Sequence, residues 1–282
     1  MAPPDRQENP MSVPHRRITL FGTSGVGKTT LAERLSRGAW YHYSGDYRIA
    51  TRYLNEAIAD WLEKEAQSHP LLARLIAADA LRLQGKARFD NLQILSAYVG
   101  KLGRGGYDLA TFLTRQRLFA DAEKQAMYDV DAFIARAIAR HGKHAFINDA
   151  GGSIGEYIGD ETLFAYLSQH TLLVYIHADD ELNEEILRRA IAHPKPICYD
   201  PDFLDDAIRA YGELTGEGHP DQFDADNFLR FVAPKMLAHR RARFTELARR
   251  YGVMLDAREV WRIQSSEEFE QLLNRAVREQ RG

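Results

Sequence analysis

The sequence predicts an α/β fold of three layers, with a five-stranded parallel sheet between helices and a large helical insertion. Two observations lead to this prediction. Five short apolar runs are separated by segments of helical periodicity, which is typical of parallel strands joined by right-handed crossovers. The segment between the second and third runs, about 49–140, is much longer than a crossover requires. We therefore expect it to be inserted between strands two and three.

The five predicted strands are rich in β-branched and aromatic residues, which favour strands. The fourth is the most apolar, as expected of a parallel strand covered on both faces. The strands are predicted at 18–21 (ITLF), 39–43 (AWYHY), 144–148 (HAFIN), 172–176 (LLVYI) and 253–255 (VML).

The helical segments carry apolar residues at a period of about 3.6. Within the insertion they cover 57–65, 71–83 and 109–140, and the glycine-rich stretch 100–106 is expected to be a mobile loop between them. Later helices are predicted at 155–168, 180–192, within 201–251, and from about 265. The predicted domains are a disordered leader (1–14), a core (15–48 and 141–282) and the insertion (49–140), which would form the acceptor and lid region.

Composition excludes several classes of function. Of the 282 residues, 45% are hydrophobic and the formal net charge is −3, a balance that argues against a general nucleic-acid binder. The single cysteine, Cys198, rules out an internal disulfide and suits a reducing compartment. No apolar run is long enough to span a membrane, and the leader lacks the apolar centre of a signal peptide. We therefore expect a cytoplasmic protein, with a homodimer left open.

Residues 22–29, GTSGVGKT, match the phosphate-binding pattern G-x-x-x-x-G-K-[ST] at every required position. A predicted strand precedes them and a predicted helix follows, an arrangement in which backbone N–H groups point at a phosphate. A chance match in a glycine-rich turn is the alternative. The sequence thus predicts a nucleoside triphosphate site, with ATP or GTP as the ligand, formed by Gly22, Thr23, Ser24, Gly25, Val26, Gly27, Lys28, Thr29 and Thr30.

Within this loop, Lys28 is expected to reach the β- and γ-phosphates as a catalytic residue. The Thr29 hydroxyl and Asp149, which ends the third strand, are the predicted Mg²⁺ ligands. Asp149 could instead cap the next turn. Ala150 follows it, where many motor and clamp ATPases have a glutamate that activates water. The acids at 179–181 also follow a strand and are the competing candidates for a Mg²⁺ ligand. We instead interpret them as providing the N-cap of the next helix.

These features resemble the P-loop kinases, which include nucleoside monophosphate, shikimate, gluconate and adenylylsulfate kinases. The resemblance implies a three-layer P-loop NTPase fold. Such kinases place an acid after the second strand near the acceptor, where this chain has Asp46. Shikimate kinases carry a glycine cluster along the acceptor, to which Gly151 and Gly152 are similar. P-loop kinases usually have an arginine-bearing lid after the fourth strand, which implies a catalytic role for Arg188 and Arg189.

Each of these assignments has a structural alternative. Asp46 could simply be a turn residue, and the two lid arginines could pair on a solvated face with the preceding glutamates at 184 and 185. Arg48 and Arg52 lie one helical turn apart and could bind an anionic acceptor, or pair on the surface with Glu56.

The sequence therefore favours an ATP- and Mg²⁺-dependent phosphotransferase that moves the γ-phosphoryl group to a small-molecule or nucleotide acceptor. Asp46 would accept the proton of a hydroxyl acceptor or hydrogen-bond to it. The alternative is a regulatory P-loop ATPase or switch whose helical insertion binds a protein partner. The sequence lacks the guanine-binding N-K-x-D motif and the L-S-G-G-Q signature, which argues against Ras-like and ABC-type proteins.

Overall fold

The computed structural model describes residues 16–83, 87–89 and 91–281, so the predicted leader lies outside the described residues. Its sheet has five parallel strands in the order β2-β3-β1-β4-β5. This confirms an α/β fold with the five expected strands, each within two residues of its predicted ends. The strands are β1 (Arg17–Phe21), β2 (Trp40–Ser44), β3 (Ala145–Asp149), β4 (Leu172–His177) and β5 (Gly252–Asp256).

The segment between β2 and β3 is mainly helical. Its helices differ from the predicted spans at two places. The span 71–83 is helical only to Ala77, and Asp79 then adopts a left-handed backbone (φ 51°) that a helix does not accommodate. The span 109–140 is two helices that meet at Asp129. The elements from β1 to β3 are α1 (Lys28–Ser36), α2 (Gly45–Arg48), a π-helical turn (Ile49–Tyr53), α3 (Asn55–Ala66), α4 (Pro70–Ala77), α5 (Gln93–Val99), α6 (Leu109–Tyr128) and α7 (Val130–His141).

After β3 the regular elements are helices, apart from β4 and β5. The predicted helix 155–168 begins later, because a 3₁₀ turn (Ile154–Tyr157) comes first and Asp160 then caps α8 by accepting from Leu163 N. The helix after β4 has its predicted bounds, and Asp179 caps it as expected by accepting from Leu182 N (2.8 Å). The helices are α8 (Glu161–His170), α9 (Asp180–Ala192), α10 (Pro201–Thr215), α11 (Ala225–Tyr251), α12 (Ala257–Arg262) and α13 (Ser266–Arg281).

The loop 100–106, expected to be mobile, is a tight turn docked on the segment before α11. Leu102 is buried among residues of α10 and α11. Arg104 N donates a hydrogen bond of 2.7 Å to Phe223 O, and Tyr107 N donates to Lys101 O. These bonds satisfy backbone groups that a mobile loop would leave to water.

The sheet separates two apolar cores, because successive residues of a strand face opposite sides. Leu20 belongs to the core formed with α1, α12 and α13, whereas Phe21 belongs to the core formed with α6, α8 and α11. These two faces make the sheet the middle layer of a three-layer arrangement. Across the described part of the chain, no helix combines the length and the apolar character that a membrane span needs.

Removal of the Phe244 ring should destabilise the fold strongly. This fully buried ring of α11 packs against Phe21 of β1 and Tyr175 of β4 at centroid distances of 5.7 and 5.5 Å. We expect Phe244→Ala to lower the free energy of unfolding by about 3–5 kcal/mol, the usual cost of such a cavity. Urea denaturation measures this change.

The matched control is Leu214→Ala, because Leu214 is 69% exposed on α10. We expect it to change the free energy of unfolding by less than about 0.5 kcal/mol. Equal effects of the two substitutions would contradict the assignment of Phe244 to the core.

Candidate functional site

The loop between β1 and α1 depends on glycine. Gly22, Gly25 and Gly27 have φ angles of 146°, 93° and 101°, which other residues rarely adopt. No described side chain caps α1, so the N–H groups of its first turn remain available to an anion. The indole of Trp261 in α12 covers the loop and donates a 2.9 Å hydrogen bond to Val26 O. The C-terminal part of the chain therefore helps to fix the loop.

The Lys28 side chain folds back over this loop. Its amino group donates to Gly22 O (2.7 Å) and Thr23 O (3.2 Å). Burial lowers the pKa of Lys28, and the neighbouring carboxylates of Asp149 and Asp46 counteract this lowering. The loop thus holds a buried ammonium group next to two acids.

Thr29 and Asp149 meet at the beginning of α1, as the sequence predicts for two ligands of one ion. Thr29 Oγ1 donates a hydrogen bond of 2.8 Å to Asp149 Oδ2, and His42 Nε2 lies 3.4 Å from the same oxygen. No set of three or more His, Cys, Asp or Glu side chains in the described chain is arranged to hold a metal. One hydroxyl and one carboxylate nevertheless fit Mg²⁺, which commonly takes its other ligands from phosphates and water.

Asp46 lies in α2, directly after β2, and faces the same region. Its Oδ1 is 3.0 Å from the position that a Cβ on Gly151 would occupy. Burial and then the charge of Asp149 raise the pKa of Asp46 to about 6, although Lys28 lowers it. The residue keeps part of its surface open because it lines a cavity.

Glu123 of α6 is a site residue that the sequence analysis missed. It is fully buried, and its Oε2 accepts hydrogen bonds from Ser153 Oγ (2.6 Å) and Tyr157 OH (2.7 Å). Its Oε1 has no hydrogen-bond partner among the described residues and would overlap a Cβ on Gly151. Burial raises the pKa of Glu123 to about 7, against the effect of its two hydrogen bonds. Asp46 and Glu123 therefore approach Gly151 together.

Arg240 of α11 is a second site residue that the sequence analysis missed. Arg240 is buried, and its Nε donates to Glu156 Oε1 and its Nη2 to Cys198 O, both at 2.7 Å. The remaining Nη1 lies 3.7 Å from the position of a Cβ on Gly152. Glu156 thus orients the guanidinium so that one nitrogen faces the glycine turn.

A cavity of about 490 Å³ connects part of the glycine-rich loop with Asp46 and Arg240. Thr23, Ser24 and Gly25 of the glycine-rich loop form one part of its wall. Asp46 and Arg240 form another part, with the glycine turn at Gly152, and apolar side chains from α5, α6, α9 and α11 complete it. The size and the few convergent polar groups are typical of small-molecule sites.

The predicted arginines occupy different environments. Arg189 lines the cavity, with its Nη2 3.9 Å from the position of a Cβ on Gly25, and it pairs with Glu185 at 3.6 Å. Arg188 is exposed and is not among the described residues that line the cavity. The structure therefore brings one of the two predicted lid arginines to the glycine-rich loop.

The two arginines predicted to bind an anionic acceptor lie elsewhere. Arg48 donates a 2.7 Å hydrogen bond to Asp129 Oδ2, which also accepts from Tyr53 OH. This ion pair joins α2 to the junction of α6 and α7. Arg52 is exposed, and neither arginine is among the described lining residues of the cavity.

Comparison of this chain with protein-family models, with curated proteins and with solved structures found no match. What the site can do is therefore argued from its own geometry.

The buried Glu123 should make stability depend on pH. Its pKa is about 7 in the folded chain and about 4.5 when solvated, so the folded protein binds more protons than the unfolded chain between these values. The free energy of unfolding therefore falls as pH rises through this range, by about 3 kcal/mol for this group. Glu123→Gln should remove that dependence, because an amide does not titrate in this range. Its oxygen can still accept the hydrogen bonds from Ser153 and Tyr157.

Urea denaturation at pH 4.5 and pH 8 measures this difference. The gain in stability of Glu123→Gln over the unmodified protein should be about 3 kcal/mol larger at the higher pH. The control is Glu161→Gln, at an exposed position of α8, which should leave the dependence unchanged. A parallel response of Glu123→Gln and the unmodified protein would contradict the buried carboxyl.

Proposed function

We propose that this chain is a P-loop kinase that transfers the γ-phosphoryl group of ATP to a small molecule. One observation carries the proposal. A single cavity extends from the glycine-rich loop to Asp46 and Arg240, so a phosphate donor and an acceptor could meet inside it. Phosphoryl transfer requires positioning and charge neutralisation more than covalent chemistry, and the cavity brings together groups suited to both.

The donor half is the loop 22–30. The left-handed glycines and the uncapped start of α1 suit the binding of the triphosphate by backbone N–H groups. Lys28 is held at the loop by Gly22 O and Thr23 O, from where its amino group can move to the β- and γ-phosphates. Thr29 and Asp149 would hold Mg²⁺, which supplies neutralisation of phosphate charge when bound.

The acceptor half contains Asp46. In the proposed step, the acceptor hydroxyl oxygen forms a bond to the γ-phosphorus, and the bond from that phosphorus to the β–γ bridging oxygen breaks. The bond's electron pair leaves with ADP, and the hydroxyl proton passes to the Asp46 carboxylate. A pKa raised to about 6 makes this carboxylate a better proton acceptor at neutral pH than an ordinary aspartate. Arg240 and Arg189 neutralise the developing charge.

In this proposal the insertion 49–140 helps to hold the acceptor, because its helices α5 and α6 form part of the cavity wall. No described acid follows Asp149 directly, since Ala150 is apolar and buried. A water-activating glutamate is thus lacking at the position where many hydrolytic ATPases have one, and transfer is favoured over hydrolysis.

The test is to incubate the protein with γ-labelled ATP and a small-metabolite extract. We expect label on a metabolite. Asp46→Asn should reduce transfer by at least about 100-fold, the scale of a lost general base, with ATP affinity retained. Lys28→Ala should abolish transfer, and Asp121→Asn, exposed on α6, is the matched control that should leave it unchanged. Release of label only as free phosphate, stimulated by a protein partner, would instead support a regulatory ATPase.

The neighbouring arginines of α9 provide a paired comparison. Arg189→Ala should lower the transfer rate by about 10-fold or more, because its guanidinium lies beside the loop at Gly25. Arg188→Ala should have a smaller effect, since Arg188 is not among the described residues that line the cavity. Steady-state transfer rates of the two variants measure the difference, and equal losses would contradict this assignment.

A further inference from the structure

We infer that the acceptor is an uncharged molecule with a hydroxyl group on an apolar body. This inference rests on the proposed function and narrows its substrate class. It depends on three features of the cavity: its apolar wall, the acidic groups at its polar end, and the placement of its cations.

The apolar wall is extensive and comes from four helices. Its buried members include Leu95 and Val99 of α5, Phe119 of α6, Ile186 of α9, and Leu229 and Met236 of α11. A ligand gains free energy from such a wall in proportion to the apolar surface that it removes from water. A polyhydroxylated or multiply charged molecule would lose hydrogen bonds to water there without replacing them. The wall therefore selects an apolar body.

The polar end of the cavity contains one carboxyl group, and two further carboxyls lie close to it. Asp46 lines the cavity, and Glu123 lies behind it with an unpartnered, fully buried Oε1 directed at Gly151. Asp149 adds a third carboxyl group, which interacts electrostatically with Asp46. A hydroxyl group can donate its proton to Asp46, whereas a phosphate or carboxylate would add negative charge beside the three carboxyls. The acidic end therefore selects a hydroxyl group.

The cations of the cavity do not form a site for an anionic acceptor. Arg240, which is paired with the buried Glu156, and Arg189, which lies at the loop proposed to bind the donor, are the two cations that the proposed reaction uses at the transferred phosphoryl group. Lys195 lines the cavity from an exposed segment, where solvent weakens its attraction for an anion. Arg48 is bound to Asp129 outside the cavity. A monophosphate acceptor would lack the paired, buried cations that such groups need.

The experiment divides a small-metabolite extract into three fractions: anionic, uncharged and apolar, and uncharged but not retained by a reversed-phase column. An anion-exchange column retains the anionic fraction, and a reversed-phase column then retains the uncharged apolar fraction from its flow-through. Each fraction is incubated with the protein, Mg²⁺ and γ-labelled ATP. We expect an acid-stable labelled product from the apolar fraction. A product from the anionic fraction alone, or from the uncharged material that the reversed-phase column does not retain, would overturn the inference and leave the kinase proposal standing. Label on no fraction would overturn both.

A cavity-filling variant tests the binding of the apolar body. Ala233 lines the cavity on α11, and Ala233→Phe should lower the rate of product formation from the apolar fraction by about tenfold or more, as for a group that a pocket cannot accommodate. The KM for ATP should stay unchanged. The same substitution at the exposed Ala238 of this helix, Ala238→Phe, is the matched control and should have no effect. An unaffected rate in Ala233→Phe, with the protein folded by circular dichroism, would overturn the inference.

Discussion

The hydrogen bond between Thr29 and Asp149 joins the parts of the candidate site. The register pairs Asp149 with Leu20 of β1 on one side and with Ser44 of β2 on the other. The glycine-rich loop, α2 and the Gly151 turn therefore all follow the carboxyl ends of their strands, where ligands of parallel α/β sheets commonly bind. Because β3 lies between β1 and β2, its terminal carboxylate reaches the start of α1 at 2.8 Å. The strand order thus brings together segments more than 100 residues apart.

The site contains two buried glutamates, Glu156 and Glu123, and they differ in how much positive charge surrounds the carboxylate. Glu156 is surrounded by His239, Arg240 and Arg243, with the nearest nitrogen at 2.7 Å, so its charge is compensated and it holds α11 in place. Glu123 receives only two neutral hydroxyl groups. Replacement of Glu156 would leave its positively charged partners unpaired. The burial of Glu123, by contrast, lowers the free energy of unfolding when its carboxyl is ionised.

Uncompensated buried carboxyls are more common in functional sites than elsewhere, because pKa values there are adapted to a reaction. Glu123 and Asp46 have raised pKa values, and the pKa of Lys28 is lowered, all primarily by burial. The three groups belong to one neighbourhood, since Asp46 interacts electrostatically with both of the others. This concentration of perturbed groups next to the cavity supports the proposed catalytic use of the site.

Local patterns in the sequence were sufficient to predict the positions of the five strands and of α9. The Asp179 cap and the prolines after Ala192 define that helix without reference to the rest of the chain. The pairing of Arg48 with Asp129 could not be predicted, because 81 residues separate them and neither has a distinctive local context. The break between α6 and α7 was missed because Asp129 has no distinctive local context either.

Glu123 and Arg240 could have been found from helical periodicity. In α6, Glu123 lies four residues after the buried Phe119 and four before the buried Met127. In α11, Arg240 lies four residues after Met236 and four before Phe244, both buried. A charged residue on the apolar face of a helix is costly unless it is paired or functional, so such positions indicate a buried site. The basic composition of the run 240–243 concealed this signal.

The glycine turn explains how opposite charges come to share one cavity. A Cβ on Gly151 would overlap Glu123 Oε1 and lie 3.0 Å from Asp46 Oδ1, while Gly152 stands 3.7 Å from Arg240 Nη1 by the same measure. Any side chain at Gly151 would force the two carboxyls away from the end of β3. Under the proposed reaction, Asp46 receives the proton of the hydroxyl group and the Arg240 guanidinium stabilises the charge on the phosphoryl group. Two adjacent residues without side chains allow both interactions within the space of a single acceptor.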